Sequence, residues 1–341
     1  DRDGDGMQER RSFRETVLNA NGSVTTTTTG KGANDAVYAR SVVTVSDDRL
    51  TTTRADDLDG DGTTELTSTE MRTVAANGVV TDTAETTAEN GALINRTVTV
   101  TSADRRTVTQ STDLDGNGTN DQVTVTTVAN SGQTTSTTTY RSSGGAIEGS
   151  FTRTVSGDGL VTTTAHDTNG DGRTDLSSTD RTLLLASGEV SRSVTYTNER
   201  NQIVGQEQST VSDDGNRSTV RLDLNGDQVF EFRTDTTRTF AANGDVVVRQ
   251  ATKDATDDTI SDIVTTTSGN GLRSTVVTDF SGDGNADRNL TLTRAADGSW
   301  VETNTLYYPG SRVTETTTRS QSADGRTLTT TRDLNGDGKT D

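Results

Sequence analysis

Nothing in this chain constrains its fold more than a nine-residue acidic segment that returns seven times. Its pattern is D-x-[DNS]-G-[DN]-x-x-x-[DE], and it begins at Asp1, Asp57, Asp113, Asp167, Asp223, Asp279 and Asp333. Successive starts lie 56, 56, 54, 56, 56 and 54 residues apart. A fixed period of this length marks one supersecondary unit repeated along the chain. Repeats therefore span 1–56, 57–112, 113–166, 167–222, 223–278 and 279–332, and 333–341 opens a further one. The third and sixth are each two residues short, so the units group in threes, 166 residues apart. The segment Arg72-Thr-Val-Ala-Ala-Asn-Gly78 accordingly returns as Arg238-Thr-Phe-Ala-Ala-Asn-Gly244. With the motif at both ends, the chain is expected to be a window on a longer repetitive protein.

Each repeat is punctuated at four points. After the acidic loop comes a tight turn such as Asn77-Gly78 or Asp297-Gly298, then a variable loop such as Ser142-Ser-Gly-Gly145 or Tyr308-Pro-Gly310. A last turn follows around Asp47-Asp48, Asp104-Arg105, Asp158-Gly159, Asp214-Gly215, Asn270-Gly271 and Asp324-Gly325. Asn-Gly and Asp-Gly between alternating runs are hairpin signals, because both central residues of a type I′ turn need positive φ. The runs between them alternate: Arg96-Thr-Val-Thr-Val-Thr-Ser102 sets Val98 and Val100 on one face and Thr97, Thr99 and Thr101 on the other. Four antiparallel strands per repeat, about 24 in all, follow from the four punctuation points. No helical periodicity stands out.

Such strands have little to bury. Leu, Ile, Val and Phe make up 61 of 341 residues, while Thr alone makes up 72, and net charge is −19. That balance ordinarily belongs to a disordered chain. The β-branched Thr and Val, and the fixed spacing of Gly, Asn and Asp, argue for order instead. Something other than a core must then supply stability. The chain has no Cys, so disulfides do not. The acidic balance argues against nucleic acid and anionic membranes as partners, and no apolar run reaches the roughly 18 residues of a membrane span. What an acidic chain of this kind attracts is cations.

The acidic segments have the chemistry to hold one. Ca²⁺ takes six to eight oxygen ligands. Side chains at positions 1, 3, 5 and 9 of the segment converge if the chain turns sharply between them, which glycines at positions 4 and 6 permit. The candidate ligands are Asp1, Asp3, Asp5 and Glu9; Asp57, Asp59, Asp61 and Glu65; Asp113, Asp115, Asn117 and Asp121. They continue with Asp167, Asn169, Asp171 and Asp175; Asp223, Asn225, Asp227 and Glu231; Asp279, Ser281, Asp283 and Asp287; and Asp333, Asn335, Asp337 and Asp341. A backbone carbonyl near Thr63, or its equivalent, and water would complete each shell. Position 6 is Gly except at Gln228, so the fifth loop is expected to be strained or weaker. One Ca²⁺ in each of seven loops would bring the net charge from −19 to −5. Binding free energy would then be folding free energy, and the metal-free chain is expected to be largely disordered. The stretch Asp254 to Asp262 spaces its acids similarly but lacks the glycines, and reads as an acidic loop with a weaker claim on an extra ion.

The start of each loop resembles an EF-hand, but the twelfth positions (Ser12, Ser68, Thr124, Ser178, Thr234, Leu290) lack the bidentate Glu, and the flanks read as strands. The loops look more like those of dockerins, thrombospondin type-3 repeats and the FG-GAP/VCBS repeats of large bacterial surface proteins. Asp333-Leu-Asn-Gly-Asp-Gly-Lys-Thr-Asp341 is close to the VCBS form. The resemblance covers the nine residues of each loop and implies calcium ligation. It does not extend to the Phe-Gly and Gly-Ala-Pro elements of FG-GAP propellers.

An all-β open array of four-stranded antiparallel units, a superhelical ribbon or filament with calcium at each junction, is the expected architecture. A six-bladed propeller and a wide solenoid are the alternatives. The expected role is a calcium-stabilised extracellular structural or adhesive repeat protein: a stalk, filament or surface-layer component on a bacterial cell surface, with other copies of the chain as partners. The alternatives are a propeller-type ligand-binding module and, from Thr runs such as Thr25 to Thr29, an ice-binding protein. Catalysis is not expected. The lone His166 adjoins an acidic loop and has no Cys to act on, and the carboxylates are committed to metal. With 29 Arg to 3 Lys, cross-strand Arg–carboxylate pairs are expected.

Overall fold

The computed structural model describes residues 10–32, 35–308 and 312–341. The described residues form 24 strands and no helix. They fall into two units, Asp1–Ser177 and Ser178–Asp341. The first contains β1 (Arg10–Leu18), β2 (Val24–Gly32), β3 (Val37–Val45), β4 (Thr51–Asp57), β5 (Leu66–Val74) and β6 (Val80–Ala88). It continues with β7 (Leu93–Thr101), β8 (Thr107–Asp113), β9 (Gln122–Val128), β10 (Thr134–Arg141), β11 (Ile147–Val155) and β12 (Val161–Asp167). The second contains β13 (Leu176–Leu184, which begins at the boundary), β14 (Val190–Asn198), β15 (Ile203–Val211), β16 (Arg217–Asp223), β17 (Phe232–Phe240) and β18 (Val246–Asp254). It ends with β19 (Thr259–Thr267), β20 (Arg273–Asp279), β21 (Arg288–Arg294), β22 (Trp300–Tyr308), β23 (Arg312–Gln321) and β24 (Leu328–Asp333).

Within each unit the sheet is an antiparallel meander. From β1 to β12 every strand pairs with the next, and so does every strand from β14 to β24. Among the described residues no pairing closes either meander, so the array is open. Turns join β1 to β2 and β5 to β6 at the Asn-Gly steps, but only the glycine takes positive φ (Gly22 at 82°, Gly78 at 85°), so these are not the expected type I′ turns. The Gly22 amide donates to the Asn19 carbonyl and the Gly78 amide to the Ala75 carbonyl, three residues back in each case. The second hairpin of each repeat carries a register shift, for instance between Thr86 and Thr87 opposite Leu93.

The acidic segments connect strands that pair directly. Asp56 pairs with Leu66, Thr112 with Gln122, Leu222 with Phe232 and Thr278 with Arg288, each pair closing a nine-residue hairpin loop. The last strand of one repeat is therefore hydrogen-bonded to the first of the next. Blades of a propeller are separate sheets that pack face to face. Ladders crossing the repeat boundary rule out that alternative in both units, and the antiparallel meander rules out a one-coil-per-repeat solenoid.

Hydrophobic residues do not hold this sheet together. Among the described residues Val194, at 5% exposure, is the one buried large hydrophobe, while Asp57, Asp113, Asp167, Asp223, Asp279 and Asp333 are all buried. The exposed surface is 21100 Å². Even two separate globules sharing the chain's 36.0 kDa equally would expose only about 16,000 Å². What the faces carry instead is polar pairing across strands. Thr–Thr hydroxyl bonds include Thr137 with Thr152 (3.0 Å) and Thr234 with Thr252 (3.1 Å). Arginine forms the expected cross-strand pairs: Arg72 with Asp82, Arg249 with Asp262, and Arg192 with both Asp180 and Glu207.

Candidate metal centre

Each acidic loop is built around its first aspartate. The Asp57 carboxylate accepts the Gly60 amide on one oxygen (2.6 Å) and the Gly62 amide on the other (3.1 Å). Asp113 holds Gly116 and Gly118 in the same way (2.7 and 2.8 Å), as Asp167 holds Gly170 and Gly172 (2.7 and 2.9 Å). Asp223 holds Gly226 and Gln228, Asp279 holds Gly282 and Gly284, and Asp333 holds Gly336 and Gly338. This side chain is the most buried in the loop, 0% exposed at Asp113 and 1% at Asp223. Its amide partners offset the cost of burying a charge. Burial acts to raise the Asp279 and Asp333 carboxyls, but the amides of Gly284 and Gly282, and of Gly338 and Gly336, outweigh it, and both end below the ordinary 3.8.

The ninth residue closes the loop. Its carboxylate accepts the amide of position 2 in all six described loops: Leu58 to Glu65, Leu114 to Asp121, Thr168 to Asp175, Leu224 to Glu231, Phe280 to Asp287 and Leu334 to Asp341, at 2.6–2.7 Å. The fifth residue caps the turn after it: Asp61 accepts the Thr63 amide at 2.7 Å, and Asn117, Asp171, Asp227, Asp283 and Asp337 do likewise. The Thr63 amide and hydroxyl hold Asp61 below 3.8, and the Thr168 hydroxyl and amide do the same for Asp175. Asp59, Asp115, Asn169, Asn225 and Asn335 at position 3 each accept the amide two residues on. Ser281 instead bonds back to Asp279.

The two glycines of the loop are not equivalent. Those at position 4 (Gly60, Gly116, Gly170, Gly226, Gly282, Gly336) have φ of 71–82°. A Cβ there would overlap the carbonyl at or beside the start of the third strand of the preceding repeat: Val37, Leu93, Ile147, Ile203, Thr259 and Val313. Position 6 also has positive φ but faces open space at Gly62, Gly118, Gly172, Gly284 and Gly338. Gln228 fits there at φ 70°. Its strain is that of a left-handed non-Gly residue, about 1–2 kcal/mol, with no steric clash added.

Three loops gather their carboxylates closely. Oxygens of Asp57, Asp59, Asp61 and Glu65 lie within 4.8 Å of one another, as do those of Asp113, Asp115 and Asp121, and those of Asp223, Asp227 and Glu231. Two ligands on opposite sides of an ion bound at about 2.4 Å are separated by about the same distance. Each pair of charges so spaced repels by between about 1 and 3.5 kcal/mol, depending on how far water screens it. The donors are hard oxygens throughout, with Asn117 and Asn225 at hand in the second and third of these loops. These clusters could hold a metal ion, and the donor set suits a hard cation. In the loops starting at Asp167, Asp279 and Asp333 the same hydrogen bonds form, but three carboxylates do not come so close. Each of these loops still carries acids at positions 1, 5 and 9, and the residue at position 3 does not explain the difference, since Asn225 stands there in a loop that does gather three. Asp1, Asp3, Asp5 and Glu9 lie outside the described residues.

The Asp254–Asp262 stretch gathers no such cluster. Asp257 pairs with Lys253 and Arg233, Asp262 with Arg249, and Asp254 accepts the Thr256 and Asp258 amides. His166 lies against Phe151 with ring centroids 4.5 Å apart and planes tilted by 46°, and its carbonyl accepts the Asp175 amide.

A second polar device, at the turn between the third and fourth strands, is not among the residues picked out from the sequence. Ser46, Ser102, Ser156, Ser212, Ser268 and Ser322 each donate a hydroxyl to an acid or amide oxygen two residues on (2.5–2.7 Å). Each also accepts the amide five residues on, at 2.9–3.0 Å. The Ser212 hydroxyl and the Asn216 amide pull Asp214 down to about 2. The signal was available: a Ser two residues before Asp or Asn in every repeat.

Neither protein-family models nor curated proteins yield a match to this chain.

Proposed function

We propose that the chain is a calcium-stabilised structural or adhesive repeat protein of the extracellular or cell-surface kind, without catalytic activity. The observation that carries this reading is the position of the loops. Four of them, those starting at Asp57, Asp113, Asp223 and Asp279, are hairpins joining the last strand of one repeat to the first of the next, each built on a buried aspartate, in a sheet that has no apolar core among the described residues. An ion there neutralises clustered carboxylates and fixes the junction between repeats, so metal affinity becomes folding free energy. Calcium suits the all-oxygen donors and the loose, partly exposed shell better than magnesium, which demands tighter geometry and retains water. A protein built this way needs free calcium to stay folded, which points outside the cell. The repeat architecture and the loop resemblance to bacterial surface proteins agree in favouring a stalk, filament or surface layer.

The test is to titrate Ca²⁺ into the EDTA-treated chain while recording far-UV circular dichroism and small-angle scattering. A cooperative gain of β signal at up to millimolar Ca²⁺, absent with Mg²⁺, is the expected result. A chain whose β signal is full in EDTA and unchanged by Ca²⁺ would sink the reading.

A further inference from the structure

We infer that the chain pairs face to face with a second copy of itself through an uncharged threonine–valine face carried by its third and sixth repeats. This rests on the calcium-folded sheet proposed above. In-register residues of adjacent strands share a face of the sheet. In the third repeat, the face that includes Thr135, Thr137 and Thr139 of β10 continues to Val125 of β9 and Thr152 of β11, both in register with Thr137. In the sixth, Val301, Thr303 and Thr305 of β22 continue to Thr291 of β21 and Thr318 of β23, both in register with Thr303. Between the rims no charged residue stands on this face from β9 to β12 or from β21 to β24. At the rim, the Arg141 guanidinium is turned onto the Gly145 carbonyl.

The reverse side of the same strands is different. It bears Arg153 in the third repeat and Arg288, Glu302, Glu315 and Arg319 in the sixth. Other repeats also put charge on the first face: Arg40 in the first, Arg96 in the second, Arg221 in the fourth, and Arg249 with Asp262 in the fifth. The two uncharged faces thus lie one super-period apart, on the two repeats that are two residues short.

The chemistry selects the occupant. A charged partner would be desolvated against this face without a counter-charge. Short β-branched side chains in a regular array instead interdigitate with their like, as in sheet-to-sheet zippers. Four strands about 4.8 Å apart and about five residues long make a patch of roughly 300 Å² in plan. That falls short of the about 800 Å² per partner of a stable interface, so a single patch pairs only weakly by itself. A second copy brings two such patches, and bivalent contact strengthens a weak single one.

Sedimentation velocity of the calcium-loaded chain over a hundredfold concentration range tests this, with circular dichroism on the same samples. The expected result is a mass that at least doubles with concentration. Thr137→Lys with Thr303→Lys should hold the chain monomeric with its β signal intact. Thr138→Lys with Thr317→Lys, on the reverse face, should leave association unchanged. A wild-type chain that is β-structured yet monomeric throughout overturns the pairing and spares the calcium reading. Equal loss in both double variants overturns the choice of face. Thermal hysteresis from a monomeric chain would assign the face to ice instead. A calcium-loaded chain with no β signal would sink the calcium reading and this one together.

Discussion

Replacing Gly116 and Gly118 by Ala, one at a time, separates what the two loop glycines do. Both have positive φ, 72° and 88°, so each alanine is held in the left-handed region. That costs about 1–2 kcal/mol, offset in part by the lower entropy of the unfolded alanine chain, for a net of about 1 kcal/mol. Gly118 faces open space, and its cost ends there. At Gly116 the new Cβ would overlap the Leu93 carbonyl, which sits at the register shift opening β7. Backbone must move, and overpacking of this kind adds typically about 1–3 kcal/mol, for a total of about 2–4 kcal/mol. If loop ordering is linked to ion binding, these costs appear in affinity at about tenfold per 1.4 kcal/mol. Gly118→Ala should weaken the Asp113 site about fivefold, and Gly116→Ala roughly 30- to 1,000-fold. Isothermal titration of the calcium-depleted chain reads both. The number of sites filled at the wild-type concentration range should fall by one for Gly116→Ala and stay the same for Gly118→Ala. Equal effects from the two alanines would refute the argument, since they differ only in what each Cβ meets.

Four further outcomes follow from the same geometry. Asp113→Ala leaves the Gly116 and Gly118 amides without their acceptor, and should cost about 2–6 kcal/mol at that junction, read by urea titration in saturating calcium. Gln228→Gly should relieve left-handed strain and tighten the fifth loop by up to about tenfold in calcium affinity, measured by the same titration against wild type. Arg192→Ala removes a guanidinium shared by Asp180 and Glu207 at the surface, and should cost no more than about 1 kcal/mol in thermal or urea unfolding, because exposed pairs are weak. The turn carboxylates Asp48, Asp104, Asp158, Asp214 and Asp324 all sit below 3.8, chiefly through the serine hydroxyl beside each. Their folded values are depressed, so their contribution is present above the unfolded value and lost as pH falls through the folded one. Acid unfolding followed by circular dichroism should therefore draw on these turns as pH falls below about 3.8, reaching down to about 2 for Asp214, and Ser212→Ala should raise Asp214 back toward 3.8 and shift the acid midpoint upward.

The loops and turns were legible because their chemistry is local. Asp-x-Asp-Gly-Asp-Gly closes on itself through amides no more than eight residues apart, so the pattern alone predicts a bend with converging oxygens, and Asn77-Gly78 predicts a turn at its place, although only Gly78 takes positive φ. The strands were legible because Thr and Val alternate between such marks. What the repeats do to one another was not. A nine-residue acidic loop can join two blades or two neighbours in one sheet, and only the pairing of Asp56 with Leu66 decides between them. The unequal glycines were hidden for the same reason. Position 4 is obligate because the third strand of the preceding repeat, some 20 residues earlier in the chain, lays a carbonyl against it. Gln228 at position 6 was the one hint, since a substitution survives where space is open. The serine caps were present in every repeat but carry no unusual composition in a chain this rich in Ser and Thr, so spacing rather than residue type was the signal to follow.

A sheet without a core has to place its cooperativity somewhere. In a layered domain, burial couples distant strands, and removing one contact is felt across the whole core. Here each strand is held by the strands beside it, so coupling passes along the meander one ladder at a time, as in other repeat arrays. The acidic hairpins are where that chain of coupling crosses from repeat to repeat. Their first aspartates are the deepest side chains at those crossings, and they are charged. With an ion, such a junction is stabilised by ligation; without one, clustered like charges weaken the ladder between β4 and β5 or between β8 and β9 at the point where repeats join. Loss of one ion should thus divide the array locally rather than unfold it everywhere. Hydrogen exchange on the Asp113→Ala chain should show protection falling in β8 and β9 and their immediate neighbours, while β1 to β3 stay protected. Uniform loss across all strands would mean that the repeats are coupled by something other than these junctions.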